Sequence, residues 1–600
     1  MDLVLAPFLP REQPALGVST LAAALQAAGE PARVRYLNLG LASRLGATNY
    51  DVIANFPNVA LLGEMVFTSA LWGDGEDRWE AYVEALSADR QRSAGRVATT
   101  IPLPPGFGSE RFNALLRGAL RELFLEAPAI VDRWADEILA GGATIVGLSS
   151  TFQQNVASLA LAQALRRRAD PERLTVVMGG ANCEGAMGEA IAARFPFVDH
   201  VVSGEADGLI LELARGIRAW QAGEGPRPAR WIRGAPVTDM DALPIPVFDD
   251  YLAARAAIGA KEPWQLAAET ARGCWWGARS HCRFCGLNAN GMAFRSKSPA
   301  RATRELRLLR ERYQQRRFMM ADNILDWRYL STVLVDLAPD GLELFWEVKS
   351  NLRPEQVGAL ADGGVRWIQP GVESLSTPVL ARMGKGATAL QQVSLLRSCR
   401  ERDVKVSWNL LYNFPGDRPE EYAAMVAMSE ALLHLPPPSA ALPIRLDRFS
   451  PYFEAASEHG IVDVRPAWAY SFVYHPLPAD AVAQIAYFFD FAYAPEVQPA
   501  LDAAALLDLV RRWGTAWSGG ARLTWMRSGG GDAVYDSRFG RAEVTPVTEA
   551  ERAALLALDR PTRLDRAELP VAVLDALRAR RWIVEADGAA MSVITRLGGG

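Results

Sequence analysis

Two separate runs of alternating strand and helix signals set the narrowest limit on how this 600-residue chain can fold. In the first, short apolar runs at 3–6, 33–37, 144–148, 174–178 and 201–202 read as buried strands. Between them Val18, Leu21 and Leu25 mark one helical face that stops at Gly29, and further helices are expected over 156–168 and 186–194. Such alternation is the pattern of an α/β, doubly wound, Rossmann-like parallel sheet. The second run places strands at 265–270, 317–320, 344–348, 365–369, 404–411 and 444–449, with helical patterns between them. Six strands in a βα series predict a partial (β/α)6 barrel, with chemistry at the carboxyl ends of its strands.

The rest of the chain is of another kind. Residues 40–110 read as a long irregular or helical stretch inserted in the first unit, and 216–262, rich in Pro and Gly, as a connector. After about 480 a helical stretch precedes short strands at 523–526 and 533–536. Thr548 and Glu551 then form a capping box that opens a helix, and a second helix is expected over 571–580. A hairpin across Asp587 and Gly588 completes a winged-helix pattern. The expected division is 1–215 for the first α/β unit, 216–262 for a linker, 263–455 for the partial barrel, and 456–600 for an α+β C-terminal region, winged-helix-like from about 540. Only the runs at 436–438 and 529–531 are of low complexity.

Composition narrows the function. Half of the residues are hydrophobic, enough for several cores. A net charge of −5 gives no basic footprint for a phosphate backbone and argues against nucleic acid as a partner. No stretch reads as a secretory signal or as a membrane span, so a soluble, cytoplasmic protein is expected. The five cysteines are too few for a disulfide framework, yet Cys274, Cys282 and Cys285 lie within twelve residues, directly after the first barrel strand. Thiolates that stay reduced are free to bind metal. Three of them leave one iron of a [4Fe–4S] cluster without a protein ligand, open to a small molecule carrying an amine and a carboxylate. The alternative is a zinc site completed by His281, although its adjacency to Cys282 makes a common tetrahedron awkward.

Residues 269–286, ETARGCWWGARSHCRFCG, followed by MAFRSKS at 292–298, resemble the cluster motif of cobalamin-dependent radical S-adenosylmethionine (SAM) enzymes that mature ribosomally made peptides. Seven residues between the first two cysteines depart from the usual three and fit this branch. MADNILD at 320–326, WEVKSN at 346–351, QPGVES at 369–374 and WNLLYNFPG at 408–416 resemble its later barrel segments, and the likeness spans about 140–455. It implies that Phe284 packs near the SAM adenine and that Glu347, Glu373 and Asn409 hold the amino group and ribose of SAM. Each such carboxylate has a plainer reading as a helix cap, Asp322 and Asp326 above all. Trp275, Trp276, Trp346 and Trp408 are each read as core.

The loops VGLSSTFQQN at 146–155, MGGAN at 178–182 and VSGE at 202–205 end consecutive strands at the carboxyl edge of the first sheet, where open α/β folds bind ligands. They resemble the cobalamin-binding half of the same family. The resemblance implies cobalamin contacts from Ser149, Ser150, Thr151, Gln154, Asn155, Gly179, Gly180, Asn182, Gly204 and Glu205. The Asp-x-His-x-x-Gly motif is missing, so no histidine is expected on cobalt. Cys183 and Cys399 read as buried structural thiols.

As an expectation, then, the chain is an enzyme using a [4Fe–4S] cluster, SAM and cobalamin. The resemblance implies that SAM yields a 5′-deoxyadenosyl radical that takes hydrogen from an unactivated carbon of a precursor peptide, and that methylcobalamin supplies the methyl group. A reductase or flavodoxin-type protein would supply electrons. Rearrangement or ring contraction is the alternative chemistry. A tRNA methylthiotransferase would need three more cysteines for a second cluster, and a DNA-binding cobalamin sensor sits badly with the acidic charge.

Overall fold

The computed structural model describes residues 1–93, 98–99, 109–287, 289, 291–528 and 531–596. Its N-terminal sheet has six parallel strands, β1 (Asp2–Leu5), β2 (Arg33–Tyr36), β3 (Ile145–Ser149), β4 (Thr175–Gly179), β5 (His200–Gly204) and β6 (Trp231–Gly234), in the order β2-β1-β3-β4-β5-β6. β1, β3, β4 and β5 are buried nearly throughout, as apolar strands covered on both faces must be. Helices Leu16–Ala27 and Ile210–Gln221 cover one face with Val18, Leu25, Ile210 and Ile217. Helix Asn155–Arg166 is buried on the other. The strand order reverses between β1 and β3, which opens a crevice at the carboxyl edge.

One expectation is corrected, and one left open is decided. Residues 216–262 are no bare connector: they supply β6 and helix Asp249–Ala257. β6 is a four-residue edge strand with two half-buried residues, too short to leave a periodic signal. The stretch 40–110 is largely helical, with Leu37–Leu45, Ala47–Ala54 and Glu76–Ser93 followed by Ser109–Arg117 and Ala119–Ala140. Breaks at Gly46, Pro57 and Gly73 cut its apolar period into pieces shorter than a reading window, while Tyr50, Trp79, Tyr82 and Phe124 build a buried core. Residues 94–97 and 100–108 of that stretch lie outside the described residues, as do Gly529 and Gly530 of the glycine run.

The second sheet is a partial barrel. Strands β7 (Leu266–Ala268), β8 (Arg317–Met320), β9 (Glu343–Val348), β10 (Val365–Pro370) and β11 (Lys405–Val406) pair in parallel, in sequence order. The expected fifth strand breaks at Ser407 and Trp408 and resumes as β12 (Asn409–Tyr412), joined to the rest by a bridge between Glu373 and Leu410. The sixth strand is β13 (Ala440–Pro443), not 444–449. Within 444–449, Leu446–Asp447 instead joins an antiparallel sheet with Phe488–Tyr493 and Ile461–Pro466. Pro443 pairs at the very end of β13, where a missing N–H costs least. Residues 98–99, from the inserted stretch, pair antiparallel with β13 and cover the barrel's open edge.

Beyond the barrel, helix Ala504–Ser518 leads into a three-stranded meander, Leu523–Ser528, Gly531–Asp536 and Glu543–Pro546. Helices Glu549–Ala557 and Val571–Ala579 with the sheet of Thr562–Arg563, Ile583–Ala586 and Ala589–Ser592 then form the winged-helix unit. Its first helix starts as the sequence predicts, with the Glu551 carboxylate accepting from the Thr548 N–H at 2.9 Å. Among the described residues no helix is long and apolar enough to cross a membrane.

Candidate functional site

The three clustered cysteines sit on one loop that leaves β7, each half-buried and free. The seven-residue spacer folds as a helical turn, with the Ala278 N–H donating to Cys274 O at 2.8 Å and the Ser280 N–H to Trp276 O at 2.7 Å. The turn is seated on the loop 383–386: Trp276 Nε1 donates to Gly384 O at 3.1 Å, and Arg283 N to Met383 O at 3.0 Å. The indole lies so close to Gly386 that a Cβ there would come within 2.2 Å of the ring. His281 Nε2 bonds Cys285 O at 2.9 Å rather than turning toward the thiols. Among the described residues no three His, Cys, Asp or Glu side chains are grouped as ligands of one metal ion. Burial pushes the Cys285 thiol up to about 12 and raises Cys282, while the neighbouring Lys385 ammonium opposes both shifts.

The barrel's carboxylates part ways. Glu373 has a left-handed backbone (φ 51) and its carboxylate pairs with the Lys385 ammonium at 2.7 Å. Burial raises Glu347 to about 7, helped by the nearby charges of Glu373 and Asp322. Phe284 packs 6.1 Å from Phe414 between ring centroids, with the Lys385 ammonium 5.7 Å from its face. Asn409 is exposed at the start of β12, one residue before Leu410, which bridges Glu373. Asp322 is no helix cap: buried, it accepts from Thr270 N at 2.6 Å, Ala271 N at 3.0 Å and Trp346 Nε1 at 2.9 Å, and burial lifts it to about 6. It ties the start of the cluster motif to β9. Asp326 does cap, accepting from Arg328 N at the head of Trp327–Ser331. Trp346 and Trp408 are core, whereas Trp275 and Trp276 are half-buried in the cluster loop.

Two cavities meet at the crevice of the first sheet. A slot of about 250 Å³ runs along the sheet face, lined by Gly147, Ser149, Gly179 and Gly204 and by apolar Leu3, Val18, Val177, Val202 and Ile210. A larger one, about 370 Å³, opens between the sheet edge and the barrel. Gly180, Glu205 and Arg272 line both. Gly180 has φ 102, and a Cβ there would stand 2.6 Å from Ser150 O, so the turn over the crevice needs glycine. Of the residues implicated on this edge, Ser149, Asn155, Gly179, Gly180, Asn182, Gly204 and Glu205 reach a cavity. Ser150, Thr151 and Gln154 line neither: Thr151 Oγ1 donates to Gln154 Oε1 at 2.8 Å, and Ser150 accepts from Asn182 Nδ2 at 2.9 Å. They build the turn. Cys183 and Cys399 are fully buried thiols.

Glu205 is already engaged. Its carboxylate takes Arg295 at 2.7 Å, Arg272 at 2.9 Å and Val237 N at 2.7 Å, and Asp207 takes Arg272 at 2.8 Å. Those guanidinium groups hold Glu205 below its usual carboxylate range against the opposing effect of burial. Arg272 precedes Cys274 by two residues, so this ionic clasp fixes the cluster loop to the edge of the first sheet. Sequence reasoning missed Arg272 and Arg295, although both lie inside the quoted motif. It also missed the cavity's far wall, Tyr470, Tyr474, Tyr487 and Phe488, and Glu64 from the inserted helices. Glu64 is buried, accepts from Asn155 N at 2.9 Å and Val156 N at 2.6 Å, and is raised by burial to about 8. No local pattern marks it, because its partners are ninety residues away.

Comparison with known proteins bears on this site directly. Residues 269–428 match the Radical SAM superfamily. An uncharacterized methyltransferase, PH0819 of Pyrococcus horikoshii, is 24% identical over 308 residues, 48% of this chain and 64% of that protein, so the chain spans less than two thirds of its relative's length. Among solved structures, the cobalamin-dependent radical SAM enzyme OxsB, with aqua-cobalamin and SAM bound, is similar at TM-score 0.53 and 12% identity over 86% of this chain and 67% of that one. The radical SAM methyltransferase TsrM from Kitasatospora setae, with cobalamin and a [4Fe–4S] cluster, is similar at TM-score 0.51 and 15% identity over 85% and 90%. At such identities the likeness is one of fold. Taken with the three thiols on the loop after β7, these matches identify residues 269–428 as a radical SAM domain, the part of an enzyme that works with a [4Fe–4S] cluster and SAM, set against an N-terminal doubly wound sheet.

Proposed function

We propose that this chain is a cobalamin-dependent radical SAM methyltransferase that places a methyl group on an unactivated carbon of a ribosomally made peptide. One observation carries the cobalamin part: the two cavities join at the sheet's switch point, beside the loop of the cluster cysteines. A flat macrocycle tethered to an aromatic base needs that shape, a broad chamber for the ring and an apolar slot with glycine walls for the tail. When bound, the cluster with SAM supplies a carbon-centred radical and cobalamin supplies a methyl carrier. The chain's own part is placement. Arg272 and Glu205 hold the two sites in register, and Tyr470, Tyr474, Tyr487 and Phe488 wall the chamber from water. The relatives' names, methyltransferase and cobalamin-dependent SAM enzyme, support the reaction class. The peptide part rests on the motif resemblance and on the winged-helix unit, a shape suited to gripping a leader peptide by strand addition. A flavodoxin-type donor would supply the electrons.

The test is anaerobic reconstitution with iron, sulfide and cobalamin, followed by turnover of peptides encoded beside the chain with methyl-labelled SAM. Label on a peptide carbon, located by tandem mass spectrometry, is the expected result; a chain that retains no cobalamin overturns the reading. Among the described residues no histidine lines either cavity, and His200 turns Nδ1 to Ala229 O. With the dimethylbenzimidazole tail taken up by the apolar slot and no histidine to replace it, electron paramagnetic resonance of the cob(II)alamin form should lack nitrogen superhyperfine splitting, and a clear triplet would contradict it.

In this reading Glu373 holds SAM, and its pairing with Lys385 makes a simple deletion ambiguous. Removing one partner of a buried ion pair costs about 3–5 kcal/mol. Glu373→Gln should lower the melting temperature and weaken SAM binding by roughly ten- to hundredfold, as loss of a charge-assisted contact does. Adding Lys385→Met should restore stability without restoring SAM affinity. Recovery of both would make Glu373 a partner of Lys385 alone.

A further inference from the structure

Residues that are partners across parallel strands share a face of the sheet, and Leu3, Gly147 and Val177 form such a row on β1, β3 and β4, where all three line the narrower cavity. Ser149 and Gly179 stand one step nearer the carboxyl edge. Val18 and Leu21 of helix Leu16–Ala27 and Ile210 of helix Ile210–Gln221 close the slot from above. Gly147 leaves the room: a Cβ there would stand 2.8 Å from Leu3 Cδ2 and 2.9 Å from Met1 Cε.

Polar groups are few there, and those present are engaged or stand at the rim. The N–H and C=O groups of paired strands point to their neighbours within the sheet, so its face offers a ligand side chains only. Among the described residues Ser149, in the edge row, is the one uncharged polar side chain that lines the slot. The charged ones, Glu205, Asp207 and Arg272, bind one another, Arg272 to Glu205 at 2.9 Å and to Asp207 at 2.8 Å. Glu205 and Arg272 also line the larger chamber, so this charge marks the end where the two cavities meet. The Met1 ammonium donates to Pro31 O at 2.7 Å. The slot has a polar mouth and an apolar interior.

Cobamides, the class to which cobalamin belongs, share one ring and differ in the base that ends the tail. Dimethylbenzimidazole off cobalt carries a single bare nitrogen, p-cresol carries none, and adenine carries an amine and several ring nitrogens. A polar group buried without a partner is costly, and the interior row of Leu3, Gly147 and Val177 supplies no partner. We propose that the slot makes this chain selective among cobamides by their base: it takes benzimidazole and phenol types and rejects purines. This rests on the cobalamin reading above and deepens it. Chemistry at cobalt favours the opposite order, because adenine, the less basic ligand, leaves the metal more readily. A preference against adenine therefore belongs to the slot.

The experiment is anaerobic equilibrium dialysis of the chain, reconstituted with iron and sulfide, against the cob(II) forms of cobalamin, p-cresolyl cobamide, adeninyl cobamide and the tail-less cobinamide. Cobalt per chain is the readout. Cobalamin and p-cresolyl cobamide should bind about equally, and adeninyl cobamide roughly a hundredfold more weakly, the usual discrimination of an apolar pocket against added polar groups. Equal affinity for the adenine and dimethylbenzimidazole forms overturns the proposal. So does tight cobalamin with weak p-cresolyl cobamide, since the base would then be held through its nitrogen. Cobinamide tells these failures from failure of the cobalamin reading. A chain that binds cobinamide as tightly as every cobamide has a ring site and no tail slot, and a chain that binds none of the four has neither. Gly147→Val, which fills the interior row, should lower cobalamin affinity toward that of cobinamide; affinity equal to the wild type overturns this placement of the tail. If valine also abolishes iron loading, the wild-type order alone decides.

Discussion

A chain with Cys274, Cys282 and Cys285 all replaced by alanine should lose its iron entirely and stay folded. The loop owes its form to bonds that do not involve sulfur: Trp276 Nε1 to Gly384 O, Arg283 N to Met383 O, His281 to Cys285 O, and the Arg272 clasp to Glu205 and Asp207. The three thiols are half-buried, so alanine removes little packing. Cobalamin should remain bound: Gly273 and Gly286 of the cluster loop line the larger proposed cavity, but none of the three cysteines does, and the bonds that shape the loop survive the substitution. Iron and cobalt per chain, with far-ultraviolet circular dichroism as the control for folding, check this. Iron at the wild-type level would return the cysteines to structure.

How legible this was can be judged residue by residue. β7 to β10 were readable because each is a short apolar run between clear helical periods, and a cluster motif with fixed spacing declares itself. β13 was misplaced because Ala440, Ala441 and Leu442 are too few to outweigh the longer apolar and arginine alternation of 444–449, which the chain spends on a different sheet. The inserted stretch could be read only as irregular or helical because glycine and proline divide its helices, although they bury Tyr50, Trp79, Tyr82 and Phe124. At the site, sequence named the edge of the first sheet but not which side chains face the crevice. Thr151 and Gln154 spend their polar atoms on building the turn, while Asn155 and Asn182 are presented by it. Glu205 was assigned to a cofactor since nothing local shows that Arg272 and Arg295, nearly seventy and ninety residues on, already claim its carboxylate. Charge partners across a domain boundary leave no periodic trace.

Deleting residues 540–600 should unfold the barrel rather than merely weaken peptide binding, because the winged-helix unit forms part of the barrel's core. Arg397, 3% exposed on helix Ala389–Glu401, donates to Ser592 O at 2.7 Å and to Asp559 O at 2.6 Å. His434 bonds Val593 O at 2.7 Å, and Ile583, Val584 and Trp582 are buried in the cluster that includes Leu396. Without that unit the helix loses its apolar cover and Arg397 loses both acceptors, at about 1–3 kcal/mol for each buried polar group left without a partner. Marginal stability leaves little room for such losses. Among its described residues the C-terminal unit lines neither cavity. The point variant Arg397→Met, which keeps the stem but not the donors, should lower the melting temperature measurably while leaving iron content and SAM cleavage intact in the cold. The deletion should yield aggregated chain on size exclusion. A truncated protein that is monomeric, loaded with iron and able to cleave SAM would mean that the barrel folds alone and that the last sixty residues serve recognition only.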